Sequence, residues 1–158
     1  MKNKILHIYF SWSIREETVW SDLYVHIVEH LKQYGAVLTE HVAHAFKNPQ
    51  RYNIAFNEKD IFEADTTFLN KADVLIAEVS APSHGVGREL CYAGEVRNIP
   101  ILALHLPEVN VSAMIKGNPK ILLQEYTGLV SCKELIDSFL QKHSKKSWHK
   151  NKNIAIKE

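Results

Sequence analysis

The sequence is poor in cysteine, and no apolar run approaches the length of a membrane span. Its two cysteines, Cys91 and Cys132, are too far apart in sequence to form a CxxC pair. This usage excludes a disulfide framework and is typical of a reducing compartment. The first residues lack a long apolar segment followed by a small-residue cleavage site. We therefore expect a cytoplasmic protein.

An excess of charge of either sign is also missing. Lysine and arginine number 19 against 18 aspartates and glutamates. No overall field would draw the chain to nucleic acid or to an anionic membrane, so we expect neither partner. The length of 158 residues suffices for one domain that buries its own core without a metal or a disulfide. We assign this domain to residues 1–142 and a basic C-terminal tail to residues 143–158.

Short apolar runs alternate with segments of helical periodicity. The predicted strands are residues 4–11, 36–39, 74–77, 101–106 and 121–124. The predicted helices are residues 20–34, 57–70, about 86–97 and 132–142, with loops at 41–56 and 107–116. This alternation predicts an α/β fold with a five-stranded parallel sheet, in a flavodoxin-like or Rossmann-like three-layer sandwich.

The most informative stretch is ADVLIAEVSAPSHGVGRELC, from Ala72 to Cys91. A buried strand leads through a turn with Ser83 and Gly85 into a helix, and ligands of open parallel sheets bind at that edge. The first backbone N–H groups of such a helix favour an anion, and Gly85 and Gly87 let the backbone approach it closely. Glu89 follows in the first turn of the predicted helix. The stretch predicts a phosphate site beside a carboxylate.

Asp65 is a second candidate carboxylate. It shares a helix face with Ile61, Phe68 and Leu69, and burying an unpaired carboxylate costs roughly several kcal/mol. Asp65 therefore either has a chemical role or lies at the rim of the apolar stripe, and periodicity leaves both alternatives open. If Asp65 and Glu89 reach one crevice, the pair suits glycosidic cleavage, in which one group attacks the sugar carbon and the other helps the base leave.

Several blocks in fixed order now point to a family: YFSWSIR, VLTEHVA, the acid of EADTTFL, ADVLIAEVSAPSHGVGREL and VSAMIKG. From about residue 5 to residue 126 the chain resembles the 2′-deoxynucleoside 5′-phosphate N-hydrolases of the nucleoside 2-deoxyribosyltransferase superfamily. The resemblance implies a homodimeric hydrolase that splits a deoxynucleoside monophosphate into free base and 2-deoxyribose 5-phosphate. It implies no metal and no organic cofactor.

The resemblance also assigns roles to residues. Glu89 corresponds to the nucleophile, Asp65 to the second catalytic acid and Tyr9 to the tyrosine at the sugar. Ser112 is expected to reach the phosphate in the neighbouring subunit, and His41 to line the base side. The substrate-binding residues implied are Ser11, Trp12, Ser13, Ile14, Arg15, His41, Ser83, Gly85, Gly87, Ser112 and Met114.

The chain departs from the family pattern at several positions. Trp12 replaces a small glycine, so its indole would either fill part of the pocket or form a platform for the base. Glu16 and Glu17 add negative charge near the expected phosphate, and Arg88 replaces a common tyrosine. These departures leave open a catalytically weak nucleotide-binding or sensing protein. The carboxylate pair also leaves open a deoxyribosyltransferase, which passes the sugar to another base.

His26 and His30 form an i, i+4 pair, which is the spacing of two metal ligands on one helix face. The sequence suggests no third ligand, so we favour a solvated helix face. The segment GVGRE is an incomplete dinucleotide-binding motif, and we expect no nicotinamide cofactor.

Overall fold

The computed structural model describes residues 5–13, 21–40 and 57–152. Within them, one sheet has the strand order β2-β1-β3-β4-β5, and all its neighbouring strands are parallel. This is the flavodoxin-like order, so the predicted α/β class and five-stranded parallel sheet are confirmed. The strands are β1 Leu6–Ser11, β2 Gly35–Val37, β3 Val74–Glu78, β4 Ile101–His105 and β5 Ile121–Glu125.

Helices cover both faces of the sheet. One core lies between the sheet and the first and last helices, and a second core lies under the two helices on the opposite face. The described α-helices are α1 Ser21–Leu31, α2 Glu58–Lys71, α3 His84–Cys91, the short α4 Ala113–Lys116 and α5 Leu129–Lys152, and a π-helical turn at Tyr92–Val96 follows α3. Helices α1 and α5 cover the first core, and α2 and α3 the second.

The alternation of side chains along the strands decides which residues reach which face. On β1, Ile8 and Phe10 pack into the core under α1 and α5, whereas Tyr9 packs into the core under α2 and α3. Ser11 has the parity of Tyr9. On β3, Glu78 has the parity of Ile76 and therefore lies on the α1 and α5 side.

Helix α3 begins earlier than the sequence predicts. Ser83 is its N-cap, and the Ser83 hydroxyl accepts a hydrogen bond from the Val86 backbone N–H at 3.3 Å. Serine is a strong N-cap, and here it outweighs the helix-breaking tendency of the glycines that follow. Gly85 and Gly87 consequently lie in the helix, and the prediction that the helix starts after Gly85 is wrong.

Other element ends also differ from the prediction. Gly35, expected to end the first helix, lies in β2, where an added Cβ would stand 2.1 Å from the Leu6 carbonyl oxygen. The expected loop at 107–116 contains α4, whose N-cap is Ser112. Helix α5 starts at Leu129 and continues to Lys152, so the predicted domain boundary after residue 142 falls inside a helix. That lysine-rich extension lacks glycine and proline, which would oppose helix formation.

The predicted loop at 41–56 lies outside the described residues. Over the described ranges, none of the helices is both long enough and apolar enough to cross a membrane.

Candidate active site

The Glu89 carboxylate is held by two side chains of β1. The Tyr9 hydroxyl donates a hydrogen bond to Glu89 Oε1 at 2.8 Å, and the Ser11 hydroxyl donates one to Oε2. Tyr9 and Ser11 are both buried, and they share a strand face because they are two residues apart. Each carboxylate oxygen therefore has a donor on a central strand, which fixes the orientation of the group.

Burial raises the pKa of Glu89 above the ordinary glutamate value, and the negative charge of Asp65 raises it further. The hydrogen bonds from Ser11 and Tyr9 and the charge of Arg88 act in the opposite direction without cancelling the rise. The pKa of the Tyr9 phenol is also raised, first by burial and then by Glu89 and Asp65. Tyr9 therefore stays protonated and remains a hydrogen-bond donor to Glu89.

Asp65 lies on α2, where Leu69 is the buried anchor of the helix and Ile61 is half exposed. The partly buried Asp65 lines the same cleft as Glu89. It also lines a small cavity between β1 and α3, together with Tyr9 and Ser11. The structure thus brings the two predicted carboxylates to one place, on different helices, at the carboxyl edge of the sheet.

The cleft has a volume of about 490 Å³, which is the size of a site for one small molecule. Both carboxylates and the N-terminal turn of α3 contribute to its lining. Its lining consists of Trp12, Ser13, Ile61, Asp65, Pro82, Ser83, His84, Gly85, Val86 and Glu89. Ile61 and His84 are cleft residues that the sequence analysis did not select.

The N-terminal turn of α3 is open on its outer side. Among the described residues, an added Cβ at Gly85 would meet only the Ser83 hydroxyl, at 3.7 Å, and one at Gly87 would meet no atom within 4 Å. Packing against that part of the chain therefore does not require glycine at either position. The Ser83 hydroxyl accepts from Val86 and can still donate its own hydrogen, while the first helical N–H groups have no intrahelical partner.

Trp12 forms a wall of the cleft. The side chain is only 5% exposed, and its ring centroid lies 5.0 Å from that of Phe10 and 5.4 Å from that of Tyr24. Most of the indole is therefore used in core packing on the α1 side of the sheet. Only the small exposed part of the ring is therefore left to obstruct a nucleotide or to stack on its base, the two alternatives that the sequence leaves open.

Arg88 is anchored on α2. Its guanidinium carbon lies 4.5 Å from the centroid of the Phe62 ring and 5.5 Å from that of Tyr92, and the group donates a hydrogen bond to Thr66 Oγ1 at 3.1 Å. The positive charge lowers the pKa of Glu89. Arg88 thus offsets part of the negative charge of the carboxylate pair.

Ser112 and Met114 do not line the cleft of their own chain. They line a separate cavity of about 530 Å³, which shares Ser83 and His84 with the cleft but not Asp65 or Glu89. The Ser112 hydroxyl accepts from the Met114 N–H at 3.3 Å, and Met114 is 83% exposed.

The remaining predicted residues fall into two groups. Ser13 is buried and lines the cleft, whereas Ile14, Arg15 and His41 lie outside the described residues, as do Glu16 and Glu17.

In the described part of the chain, no group of three or more His, Cys, Asp or Glu side chains that could hold a metal ion includes the histidine pair of α1. His30 Nε2 instead lies 2.6 Å from Asp137 Oδ1, an oxygen that also accepts from the Tyr34 hydroxyl at 2.6 Å. The group joins α1 to α5.

Comparison with solved structures supports the fold. A CMP N-glycosidase of Clostridium botulinum, BcmB, superposes with a TM-score of 0.61 over 84% of this chain and 99% of its own, at 14% sequence identity. No family model matches the chain.

Curated relatives are much more similar in sequence. A protein of Methanosarcina mazei named 2′-deoxynucleoside 5′-phosphate N-hydrolase 1 is 40% identical over 137 residues, which cover 85% of this chain and 83% of that protein. The 5-hydroxymethyl-dUMP N-hydrolase of Mus musculus is 45% identical over 112 residues, which cover 70% of this chain and 64% of the mouse protein. With the predicted blocks and the observed fold, these identities show that the chain belongs to the 2′-deoxynucleoside 5′-phosphate N-hydrolase family.

Proposed function

We propose that this protein hydrolyses the N-glycosidic bond of 2′-deoxynucleoside 5′-monophosphates, giving free base and 2-deoxyribose 5-phosphate. The names of the relatives support this reaction class. The observation that carries the proposal is the Glu89 carboxylate, held by Tyr9 and Ser11 in the cleft that also contains Asp65. A fixed carboxylate with a second acid nearby is the arrangement that glycosidic cleavage needs.

In the first half of the reaction, a Glu89 oxygen attacks C1′ of the sugar. The bond from C1′ to the base nitrogen breaks, and its electron pair remains on the base, which takes a proton from Asp65. The negative charge of Asp65 adds to the rise in the pKa of Glu89, so the two carboxyls interact within the cleft. Tyr9 donates to Glu89 throughout and holds the attacking group at the sugar.

In the second half, water attacks C1′ of the sugar ester on Glu89. The water proton passes to the Asp65 carboxylate, the ester bond breaks, and Glu89 is restored as a carboxylate. Both groups end as they began, so the cycle needs no cofactor.

The N-terminus of α3 is the site for the 5′-phosphate. Ser83 can donate its hydroxyl hydrogen, and the open space at Gly85, which lines the cleft, lets the phosphate approach the first backbone N–H groups of the helix. Because Glu89 lies on the same helix, the phosphate and the nucleophile are a fixed distance apart. This arrangement favours a monophosphate over a free nucleoside.

The proposal extends to a homodimer in which Ser112 of each subunit completes the site of the other. The support is the exposure of Met114 beside Ser112, on a cavity that meets the cleft at Ser83 and His84. A two-fold interface would use the same surface of both chains. We also assign the protein to the cytoplasm, because Cys91 and Cys132 are free thiols.

Replacing the nucleophile tests the function directly. Glu89→Gln should lower the rate of base release by about a thousandfold or more while nucleotide binding remains, because the amide cannot attack C1′. Chromatography of released base, over a panel of deoxyribo- and ribonucleoside monophosphates, measures the rate. Adding a second free base reveals any transfer of the sugar.

The matched control is Glu134→Gln, which removes an exposed carboxylate of α5 that lines neither the cleft nor the cavity at Ser112. It should retain the parent rate. Parent-like base release by Glu89→Gln would contradict the proposal.

The raised pKa of Glu89 gives a prediction for pH dependence. The nucleophile must be ionised, so activity is lost as pH falls through its pKa, at a higher pH than for an ordinary glutamate. Ser11→Ala removes a hydrogen bond that lowers this pKa, so the acidic limb of the kcat/KM profile should move to higher pH. Ser13→Ala removes a neighbouring buried serine and should leave the limb in place. An unmoved limb in Ser11→Ala would show that another group controls activity.

Subunit complementation tests the role of Ser112. Glu89→Ala and Ser112→Trp chains should each be inactive alone. After unfolding and refolding together in equal amounts, they should recover about a quarter of the parent activity, because half of the dimers are mixed and each has one intact site. Lack of recovery despite mixed dimers, detected by differential tagging, would remove Ser112 from the neighbouring site.

A further inference from the structure

Glu78 is a buried carboxylate at the carboxyl edge of the sheet, and the proposed reaction does not use it. It is the last residue of β3, is 2% exposed, and lies on the face opposite Tyr9 and Glu89. A carboxylate in such a position is costly unless several donors satisfy it. The donors therefore indicate what the group holds together.

Four hydrogen bonds reach Glu78 from three parts of the chain. The Ser80 backbone N–H donates to Oε1 at 3.2 Å, and the Ser80 hydroxyl donates to the same oxygen. The Tyr126 hydroxyl donates to Oε1 at 3.3 Å, and the Tyr24 hydroxyl donates to Oε2 at 3.4 Å. Every one of these groups acts as a donor, which matches a carboxylate acceptor.

Two of these partners lead directly to the cleft. The Ser80 hydroxyl also accepts from the Leu106 N–H at 2.9 Å, and the chain from Ser80 continues to Ser83, which caps α3 and lines the cleft. The Tyr24 ring packs 5.4 Å from Trp12, which also lines the cleft. Neither tyrosine lines the cleft itself, and among the described residues Tyr126, which follows β5, has no ring contact with Trp12.

We propose that Glu78 is a positioning residue that fixes the Ser80–Ser83 turn and the Tyr24–Trp12 wall relative to each other, and so sets the width of the substrate cleft. The inference rests on the proposed hydrolase function. It assigns substrate positioning to Glu78 and leaves the chemistry to Glu89, which β1 orients on the other face.

The titratable groups that face Glu78 are Tyr24 from α1, Tyr126 from the end of β5 and Cys132 from α5. Burial, and then the charge of Glu78, raise the pKa of the Cys132 thiol to about 12, and burial raises the pKa of Tyr126 as well, so both remain uncharged at neutral pH. Burial also raises the pKa of Glu78, while the hydrogen bonds from Ser80, Tyr126 and Tyr24 lower it. The role assigned to Glu78 rests on these contacts and not on its titration.

Two matched substitutions separate positioning from general stability. Tyr24→Phe and Tyr126→Phe each remove one hydroxyl that donates to Glu78 over nearly the same distance, 3.4 and 3.3 Å. Tyr24→Phe should raise KM for the best monophosphate substrate about tenfold, whereas Tyr126→Phe should change it less than twofold. Both should lower the midpoint of thermal unfolding similarly, and neither should move the acidic limb of the kcat profile.

Two further variants test the hydrogen bonds of Glu78 with Ser80 and with Tyr24. Ser80→Ala removes the hydroxyl that joins Glu78 to Leu106, and it should raise KM at least as much as Tyr24→Phe. Glu78→Gln can keep its amide oxygen towards Ser80, and its amide nitrogen can donate to the Tyr24 hydroxyl, so it should raise KM less than Tyr24→Phe does. Equal KM values for Tyr24→Phe and Tyr126→Phe, or a moved acidic limb in either, would overturn the inference.

Assays of the parent protein separate a failure of the role assigned to Glu78 from a failure of the proposed function. If the parent releases no base from any monophosphate in the panel, the hydrolase proposal fails. The same variants are then compared by calorimetric titration with those monophosphates. Under the positioning role, Tyr24→Phe weakens binding about tenfold and Tyr126→Phe does not. Equal dissociation constants would overturn the role of Glu78.

Discussion

The hydrogen bonds from Tyr9 and Ser11 to the Glu89 carboxylate are the interaction on which the site depends. They join the interior strand β1 to α3, so the carboxylate is oriented by buried strand residues rather than by a surface loop. Burial raises the pKa of Glu89, and the two donors limit that rise. The same two side chains therefore orient the carboxylate and favour its ionised form.

The carboxyl edge of the sheet uses its two faces differently. On the α2 and α3 face, Glu89 and Asp65 line the same cleft and supply the proposed chemistry. On the α1 and α5 face, the buried Glu78 connects the turn after β3 with the aromatic wall at Trp12. The strand alternation that separates Tyr9 from Phe10 keeps the two carboxylate networks apart.

The sequence predicts most of the fold because the apolar runs and their helical partners have clear periods. It also predicts that Asp65 and Glu89 face one crevice, because ligands of parallel sheets bind at the carboxyl edge. The predicted start of α3 is wrong because the capping hydroxyl of Ser83 stabilises the helix start more than the two glycines oppose it. Glu78 was missed because its partners, Tyr24 and Tyr126, are 54 and 48 residues away in sequence, and no local pattern records such contacts.

The central claim is that Glu89 attacks C1′ itself instead of activating water. The stereochemistry of the reaction in a mixture of methanol and water tests this most directly. Attack by Glu89 followed by attack of methanol inverts C1′ twice, so the account predicts a methyl 2-deoxyriboside 5-phosphate with the β configuration of the substrate, identified by proton NMR. Formation of the α anomer would show a single displacement and contradict the role of Glu89 as nucleophile.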